Sequence, residues 1–167
     1  WQKTKPVLGW PRQTDSLLYR YLPSVDVAFA VFGWMPLKVA APVYYLFSCM
    51  TWIGLLRSVK SHLLPETLAG DRHSVVLTAA ALTLVFTLDH LVLGAFHILM
   101  IWLVIAGVAR AVKGRSWTGA ALVGLAIWIK LLPLIAVPYL VLKRRWAAAV
   151  LSLVVALAID VSLALVG

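Results

Sequence analysis

Long apolar runs alternate with short polar interruptions along most of the chain, which is the pattern of membrane-spanning helices. Several runs approach the roughly 20 residues that cross a bilayer as a helix. Charged or helix-breaking residues separate five main apolar stretches, at residues 37–56, 75–88, 91–108, 117–142 and 147–166. A shorter apolar piece, residues 24–35, lies between Pro23 and Pro36. Because it would extend only about 18 Å as a helix, it predicts a short interfacial or re-entrant helix.

The stretch at residues 117–142 decides the predicted topology, because Lys130, Pro133 and Pro138 interrupt it. A single crossing would place the basic loops 110–115 and 143–145 on opposite faces, against the preference of Lys and Arg for the cytoplasmic side. A bend near Lys130, where proline removes a helix hydrogen bond, places both loops on that side. We therefore predict an all-α polytopic transmembrane helix bundle with a bent or re-entrant helix near Lys130. Residues 1–36 are predicted as an extracytoplasmic or interfacial segment and residues 37–167 as the bundle.

Composition supports an integral membrane protein and narrows its partners. Hydrophobic residues make up 63% of the chain and the mean hydropathy is +0.96, well above a soluble domain. The net charge of +9 comes from short basic clusters between apolar runs, so the topology of a membrane protein explains it without a nucleic-acid partner. The single cysteine, Cys49, forms no intrachain disulfide. No phosphate-binding glycine loop, dinucleotide fingerprint or zinc spacing occurs, so we predict neither a cofactor nor a metal site.

The order of several motifs resembles the polyprenol-phosphate-mannose-dependent mannosyltransferase family. The motifs are Tyr21-Leu22-Pro23, Pro36, Leu93-Gly94-Ala95-Phe96-His97, Gly119 to Gly124, Lys130, Pro133, Tyr139 and Lys143-Arg144-Arg145-Trp146. The resemblance covers residues 21–146 and implies part of a C-type membrane glycosyltransferase fold. It also implies hexosyl transfer, with mannose as the sugar, from a polyprenyl-phosphate lipid in a bacterial inner membrane.

Two departures from the family pattern suggest a partial or degenerate member. The family usually carries Gly-Gln-x-Asn where this chain has Gly94-Ala95-Phe96-His97, so two amide side chains are absent. The resemblance also implies a catalytic carboxylate upstream of the Tyr-Pro element, after a first transmembrane helix. Asp15 is the only carboxylate upstream of Tyr21, and the expected first helix does not precede it in this sequence.

Candidate site residues follow from the chemistry of transfer from a lipid phosphate, which needs a base for the acceptor hydroxyl and a cation for the leaving phosphate. Asp89 and His90, predicted at an outer turn, are the candidate catalytic residues, although a polar turn also explains them. Lys130 and Lys38 are the candidate phosphate contacts, with helix-end anchoring as the alternative for each. His97 and Trp128 are candidates for acceptor or sugar binding, or for helix packing and an interfacial position. His90 and His97 lack the further ligands that a metal or haem site requires.

Two further interpretations of the whole chain stay open beside the enzyme. A catalytically inactive relative that serves as a scaffold subunit would account for the altered motif and the missing carboxylate loop, and its partners would be other membrane subunits. A small transporter is the third possibility, because Asp160 and Lys130 lie within apolar runs and intramembrane charges also mark transport paths.

Overall fold

A computed structural model describes residues 35–64, 71–92 and 96–165, and these residues form helices without any β-strand. The prediction of an all-α membrane helix bundle is confirmed. The short helix predicted at residues 24–35 lies outside the described residues, apart from its last position. In chain order the helices are α1 Leu37–His62, α2 Arg72–Val92, α3 His97–Val112, α4 Ser116–Ile129, a 3₁₀ helix Leu132–Ile135, α5 Ala136–Leu142 and α6 Trp146–Ala164.

Two helices run further than their apolar patterns predict. α1 passes through Arg57 and Lys60 to His62, and α2 passes through Asp89 and His90 to Val92. A charged side chain lowers hydropathy but leaves the backbone hydrogen bonds intact, and Lys and Arg are good helix formers. The prediction of Asp89 and His90 in a turn between two spans is therefore wrong, because both belong to the C-terminal part of α2.

The predicted break near Lys130 is present. Lys130 donates its backbone N–H to the Ala126 carbonyl at 3.1 Å, which is the last bond of α4. Its own backbone is extended, with φ −155° and ψ 141°. The chain then turns through the 3₁₀ helix, where Pro133 lies in the first turn, and returns as α5. The residues 117–142 thus form two short helical arms in place of one long span.

Two matching turns connect α3 to α4 and α5 to α6. In each turn one residue is left-handed, Gly114 with φ 90° and Arg144 with φ 57°. In the first turn, Gly114 and Arg115 donate their N–H groups to Ala111 and Arg110. In the second, Arg144 and Arg145 donate to Val141 and Leu140. This is the Schellman pattern, which satisfies the last carbonyls of a helix.

The two basic turns lie side by side. The Arg145 guanidinium donates a hydrogen bond to the Val112 carbonyl of the other turn at 2.5 Å. If residues 117–142 fold back on themselves, the two turns must be neighbours, whereas a single crossing would put the turns at opposite ends of the bundle. We call this end of the bundle, marked by residues 110–115 and 143–145, the basic end.

Small residues bring α4 into close contact with its neighbours α3 and α6. A Cβ atom added to Gly119 would lie 2.6 Å from the Ala111 nitrogen and 2.7 Å from the Gly107 carbonyl oxygen. One added to Gly124 would lie 2.6 Å from the Ser152 carbonyl oxygen. Because lipid tails are as apolar as leucine, membrane helices associate through close approach of this kind. The described core accordingly centres on α4, where Ala120, Val123 and Ala126 are fully buried.

The outer surface of the bundle suits lipid. The segments Lys38–His62 and Trp146–Leu163 are long and apolar enough to cross a membrane. Large apolar side chains such as Leu46, Leu82 and Leu157 are 64–74% exposed on α1, α2 and α6, a surface that a water-soluble monomer rarely presents. Hydroxyls within the helices donate to carbonyls three or four residues back, as Thr83, Thr87 and Ser152 do, which satisfies them without water.

Candidate functional site

Lys130 and His97, which are 33 positions apart, meet at the end of the bundle opposite the basic turns. Lys130 Nζ lies 2.8 Å from His97 Nε2. Lys130 is placed there by the end of α4, and His97 is the first residue of α3. An ammonium group only donates, so His97 Nε2 is the acceptor of this hydrogen bond. Both side chains are partly buried, so this polar pair is held within an otherwise apolar bundle.

The helix lengths fix the depth of this pair. Lys130 follows 14 residues of α4, which begin at the basic end with Ser116. At 1.5 Å per residue the pair therefore lies about 21 Å from the basic turns. α3 returns over about 24 Å in the opposite direction with 16 residues. Since the hydrocarbon core of a bilayer is about 30 Å thick, an arm of this length carries its polar tip well past the midplane.

Other polar and aromatic groups share this level. Asp160 lies 14 positions after the first residue of α6, and Lys130 lies 14 positions after the first residue of α4. Because the two helices start from adjacent turns and run parallel, the two residues lie at a similar depth. Asp160 is partly buried. The Phe96 ring meets the Tyr44 ring edge-on, with centroids 5.9 Å apart, so α1 also contributes to this end. We call Tyr44, Phe96, His97, Lys130 and Asp160 the polar layer.

Trp128 and Lys38 occupy different surroundings from the pair. Trp128 is 5% exposed and belongs to the main apolar core with Met100 and Leu103. Its indole therefore offers little free surface to a sugar in this arrangement. Lys38 is exposed in the first turn of α1, six residues or about 9 Å along the helix from Tyr44. Lys38 thus lies on the far side of the polar layer from the basic turns.

Asp89 and His90 are carried toward the polar layer by α2, although their side chains lie outside what the structure describes. Thr87, two residues before Asp89, lines the same cavity as His97. The last turns of α2 therefore run to the same end of the bundle as His97.

A cleft of about 380 Å³ lies between α1, α2 and α3, with His97 among its lining residues. Its walls are apolar along most of their length, and α1 supplies Trp52, Leu55, Leu56 and Val59. Thr87 and Thr83 are the polar members on α2, and each hydroxyl is bonded to a carbonyl of its own helix. Sequence reasoning missed this cleft; its only signal was two threonines four positions apart in an apolar helix.

The described residues contain no group of three or more His, Cys, Asp or Glu side chains arranged to hold a metal ion. The polar layer presents an ammonium, an imidazole and a carboxylate at one depth. Those groups suit the binding of an anionic group and of hydroxyls.

The fold and this polar layer define a helical membrane protein with a partly buried polar site next to an apolar cleft. The sequence model of Glycosyltransferase family 87 matches residues 19–167, nearly all of the chain. The chain belongs to Glycosyltransferase family 87, and a glycosyltransferase activity at a membrane follows from that membership. Comparisons with curated proteins and with solved structures found no match.

Proposed function

We propose that the protein transfers a hexose, with mannose as the expected sugar, from a polyprenyl phosphate to an acceptor hydroxyl in a bacterial inner membrane. The observation that carries the proposal is the hydrogen bond between Lys130 and His97 at the break after α4. It joins two residues of motifs that resemble those of polyprenyl-phosphate-dependent mannosyltransferases. It also holds a cation at a depth where a lipid phosphate can reach it from the membrane.

Lys130 contacts the phosphate in this proposal. When the bond between the anomeric carbon and the phosphate oxygen breaks, negative charge develops on the leaving polyprenyl phosphate. An ammonium aimed at that oxygen stabilises the charge more strongly in a partly buried site than in water. His97 acts as a positioning residue for the Lys130 side chain and as a hydrogen-bonding partner for a sugar hydroxyl. Lys38, further out on α1, is the second proposed phosphate contact.

The cleft between α1, α2 and α3 accommodates the isoprenoid tail. Its walls are apolar and its lining includes His97, so a chain lying there would present its phosphate to the polar layer. A nucleotide sugar has no apolar tail to fill such a space. The cleft therefore favours a lipid-linked sugar donor.

Asp89 or His90 at the end of α2 is the proposed general base. The base takes the proton of the acceptor hydroxyl, the acceptor oxygen forms the new bond to the anomeric carbon, and the phosphate leaves with the electron pair of the old bond. Trp128 stays a proposed contributor to sugar binding, which would require a side-chain movement that exposes its indole.

Lys130→Gln in the full-length protein tests the phosphate contact. A charge-assisted hydrogen bond is worth about 1.5 to 3 kcal/mol, so the variant should lose about ten-fold or more in kcat/KM with radiolabelled polyprenyl-phosphate mannose. Polyprenyl phosphate binding should weaken in parallel. Lys143→Gln, an exposed lysine of the basic end, is the matched control and should transfer at the parent rate.

Equal binding and transfer by folded Lys130→Gln and by the parent would show that Lys130 is not the phosphate contact. If the parent neither binds nor transfers and instead purifies with a fixed set of membrane subunits, the role is that of an inactive scaffold subunit.

A further inference from the structure

A second apolar groove opens at the basic end, far from the polar layer. It has a volume of about 600 Å³ and lies between the C-terminal end of α1, α3, and the arm formed by the 3₁₀ helix and α5. Its walls are apolar, with Val104, Ile105 and Val108 on one side and Ile135 and Ala136 on the other. His62 and Lys113 are its basic members, and Tyr139 also lines it.

The mouth of this groove is strongly basic. A smaller cavity adjoins it through His62 and Lys113 and is otherwise lined by Arg110 and Arg115. Lys113 donates a hydrogen bond to His62 Nδ1 at 3.1 Å, which ties the end of α1 to the end of α3. Lys143, over the Tyr139 ring at 5.8 Å, adds a further cation nearby. None of the residues that the structure describes around the two cavities carries a carboxylate.

The groove has the depth of one membrane leaflet. Along α3 it runs from Val104 to Lys113, nine residues or about 14 Å at 1.5 Å per residue. Half of a 30 Å hydrocarbon core is about 15 Å. An acyl chain that lies along these walls from the mouth inward would therefore end near the midplane, with its headgroup at Lys113.

We propose that the basic end holds an anionic glycerophospholipid, with one acyl chain in the groove and the phosphate between Lys113, Arg110 and Arg115. The preference of basic loops for the cytoplasmic side explains their charge but not the apolar groove beneath them. Charge complementarity selects the headgroup, since three cations, Arg110, Lys113 and Arg115, line one opening and the described residues that line it carry no carboxylate to neutralise them. The bound lipid would fill the space between α1 and α5 and so fasten α1 to the rest of the bundle.

Lipid titration of the purified full chain in neutral detergent tests the site, with bound lipid counted by native mass spectrometry. Phosphatidylglycerol should bind about ten-fold or more tightly than phosphatidylcholine with the same acyl chains. The Arg110→Gln/Lys113→Gln double variant should lose this preference. Arg57→Gln removes an exposed positive charge from α1 outside both cavities and should bind phosphatidylglycerol within about two-fold of the parent.

Ala109→Phe provides a second, independent variant, because Ala109 lines the groove and a phenyl ring there fills the space while all the cations stay. It should bind phosphatidylglycerol about ten-fold more weakly, with unchanged thermal unfolding in lipid-free detergent. Unchanged binding by Ala109→Phe would overturn the proposal. So would competition by inorganic phosphate at the concentration of the lipid, which would indicate a phosphate site without an acyl chain. An equal loss of phosphatidylglycerol binding in Arg57→Gln and in the double variant would overturn it as well, because the binding would then depend only on the net charge of the protein.

Discussion

At the scale of single residues, the pair of Lys130 and His97 shows how a charge is accommodated inside an apolar bundle. A lysine in the middle of a span costs about 3 kcal/mol or more, and the chain lowers this cost by ending α4 at that residue. The extended backbone of Lys130 and its bond to His97 give the ammonium a polar partner. Each residue was a candidate from sequence alone, Lys130 by its position among apolar residues and His97 by its motif. Their contact was not predictable, because 33 residues and two helices separate them.

His97 also stands where the resembling family carries asparagine, which yields a graded prediction. An asparagine side chain still offers an acceptor oxygen to the Lys130 ammonium, whereas alanine leaves that bond unmade at a cost of about 1 to 3 kcal/mol. We expect His97→Asn to keep most of the transfer rate and His97→Ala to lose about ten-fold or more in kcat/KM with polyprenyl-phosphate mannose.

The bundle contains a matched control for this change. Lys60 and His73 form another lysine–histidine contact, at 2.5 Å, but an exposed one that joins α1 to α2. His73→Ala should therefore leave transfer near the parent value, since an exposed polar contact exchanges readily for water. If His97→Asn and His97→Ala lose activity equally, the acceptor role of the His97 ring is refuted.

At the scale of the helices, the left-handed residue of each basic turn shows what sequence reveals of a helix end. The first turn can be predicted from the sequence, because glycine adopts the left-handed conformation of Gly114, with φ 90°, at little cost. The second turn has the same backbone geometry with Arg144 at φ 57°, so no glycine indicates it in the sequence. Likewise Asp89 and His90 suggested a turn by their polarity alone, and α2 continues through them. Polarity indicates exposure to water or a partner, while helix ends depend on the backbone.

The small residues of α4 yield a stability prediction. A side chain at Gly119 would collide with the backbone of α3, since an added Cβ would lie only 2.6 Å from the Ala111 nitrogen. We expect Gly119→Val to destabilise the protein by about 1 to 3 kcal/mol or more, the usual cost of overpacking. Ala121→Val places the same side chain on the exposed face of α4 and should be nearly neutral. Thermal unfolding in one detergent compares them, and equal losses would rule out the close contact as the cause.

At the scale of the whole molecule, hydropathy predicts the number and kind of helices better than their arrangement. The all-α class, the break at Lys130 and the common end of the two basic turns were all predictable from apolar runs, prolines and basic clusters. The cleft beside His97 and the groove beside Lys113 were not, because they depend on which helices become neighbours. In a membrane, close packing at residues such as Gly119 and Gly124 decides which helices become neighbours. Hydropathy does not show which helix will pack against which.

The two apolar spaces both reach Ile105, but the polar groups at their mouths, His97 and Lys113, lie at opposite ends of the bundle. In the two proposals, the cleft beside His97 would hold the sugar-donor lipid and the groove beside Lys113 would hold a structural phospholipid. About 21 Å of α4 separates the two levels. Ala109 lines the groove but not the cleft, so Ala109→Phe should weaken phosphatidylglycerol binding without changing sugar transfer, and the two proposals can fail separately.

The orientation of these ends across the membrane is the last prediction. Residues 115 and 143 flank the two adjacent basic turns and are exposed, while Lys38 is exposed at the far end of α1. Positive charge favours the cytoplasmic side, so we expect the basic end there and Lys38 outside.

After Cys49→Ser removes the native thiol, Arg115→Cys, Lys143→Cys and Lys38→Cys can each be labelled with a membrane-impermeant maleimide. In intact cells only the Lys38→Cys thiol should react, and all three should react after permeabilisation. Labelling of residues 115 and 143 from opposite sides would contradict the folded-back path through Lys130, because the Arg145 bond to Val112 requires the two turns to be neighbours.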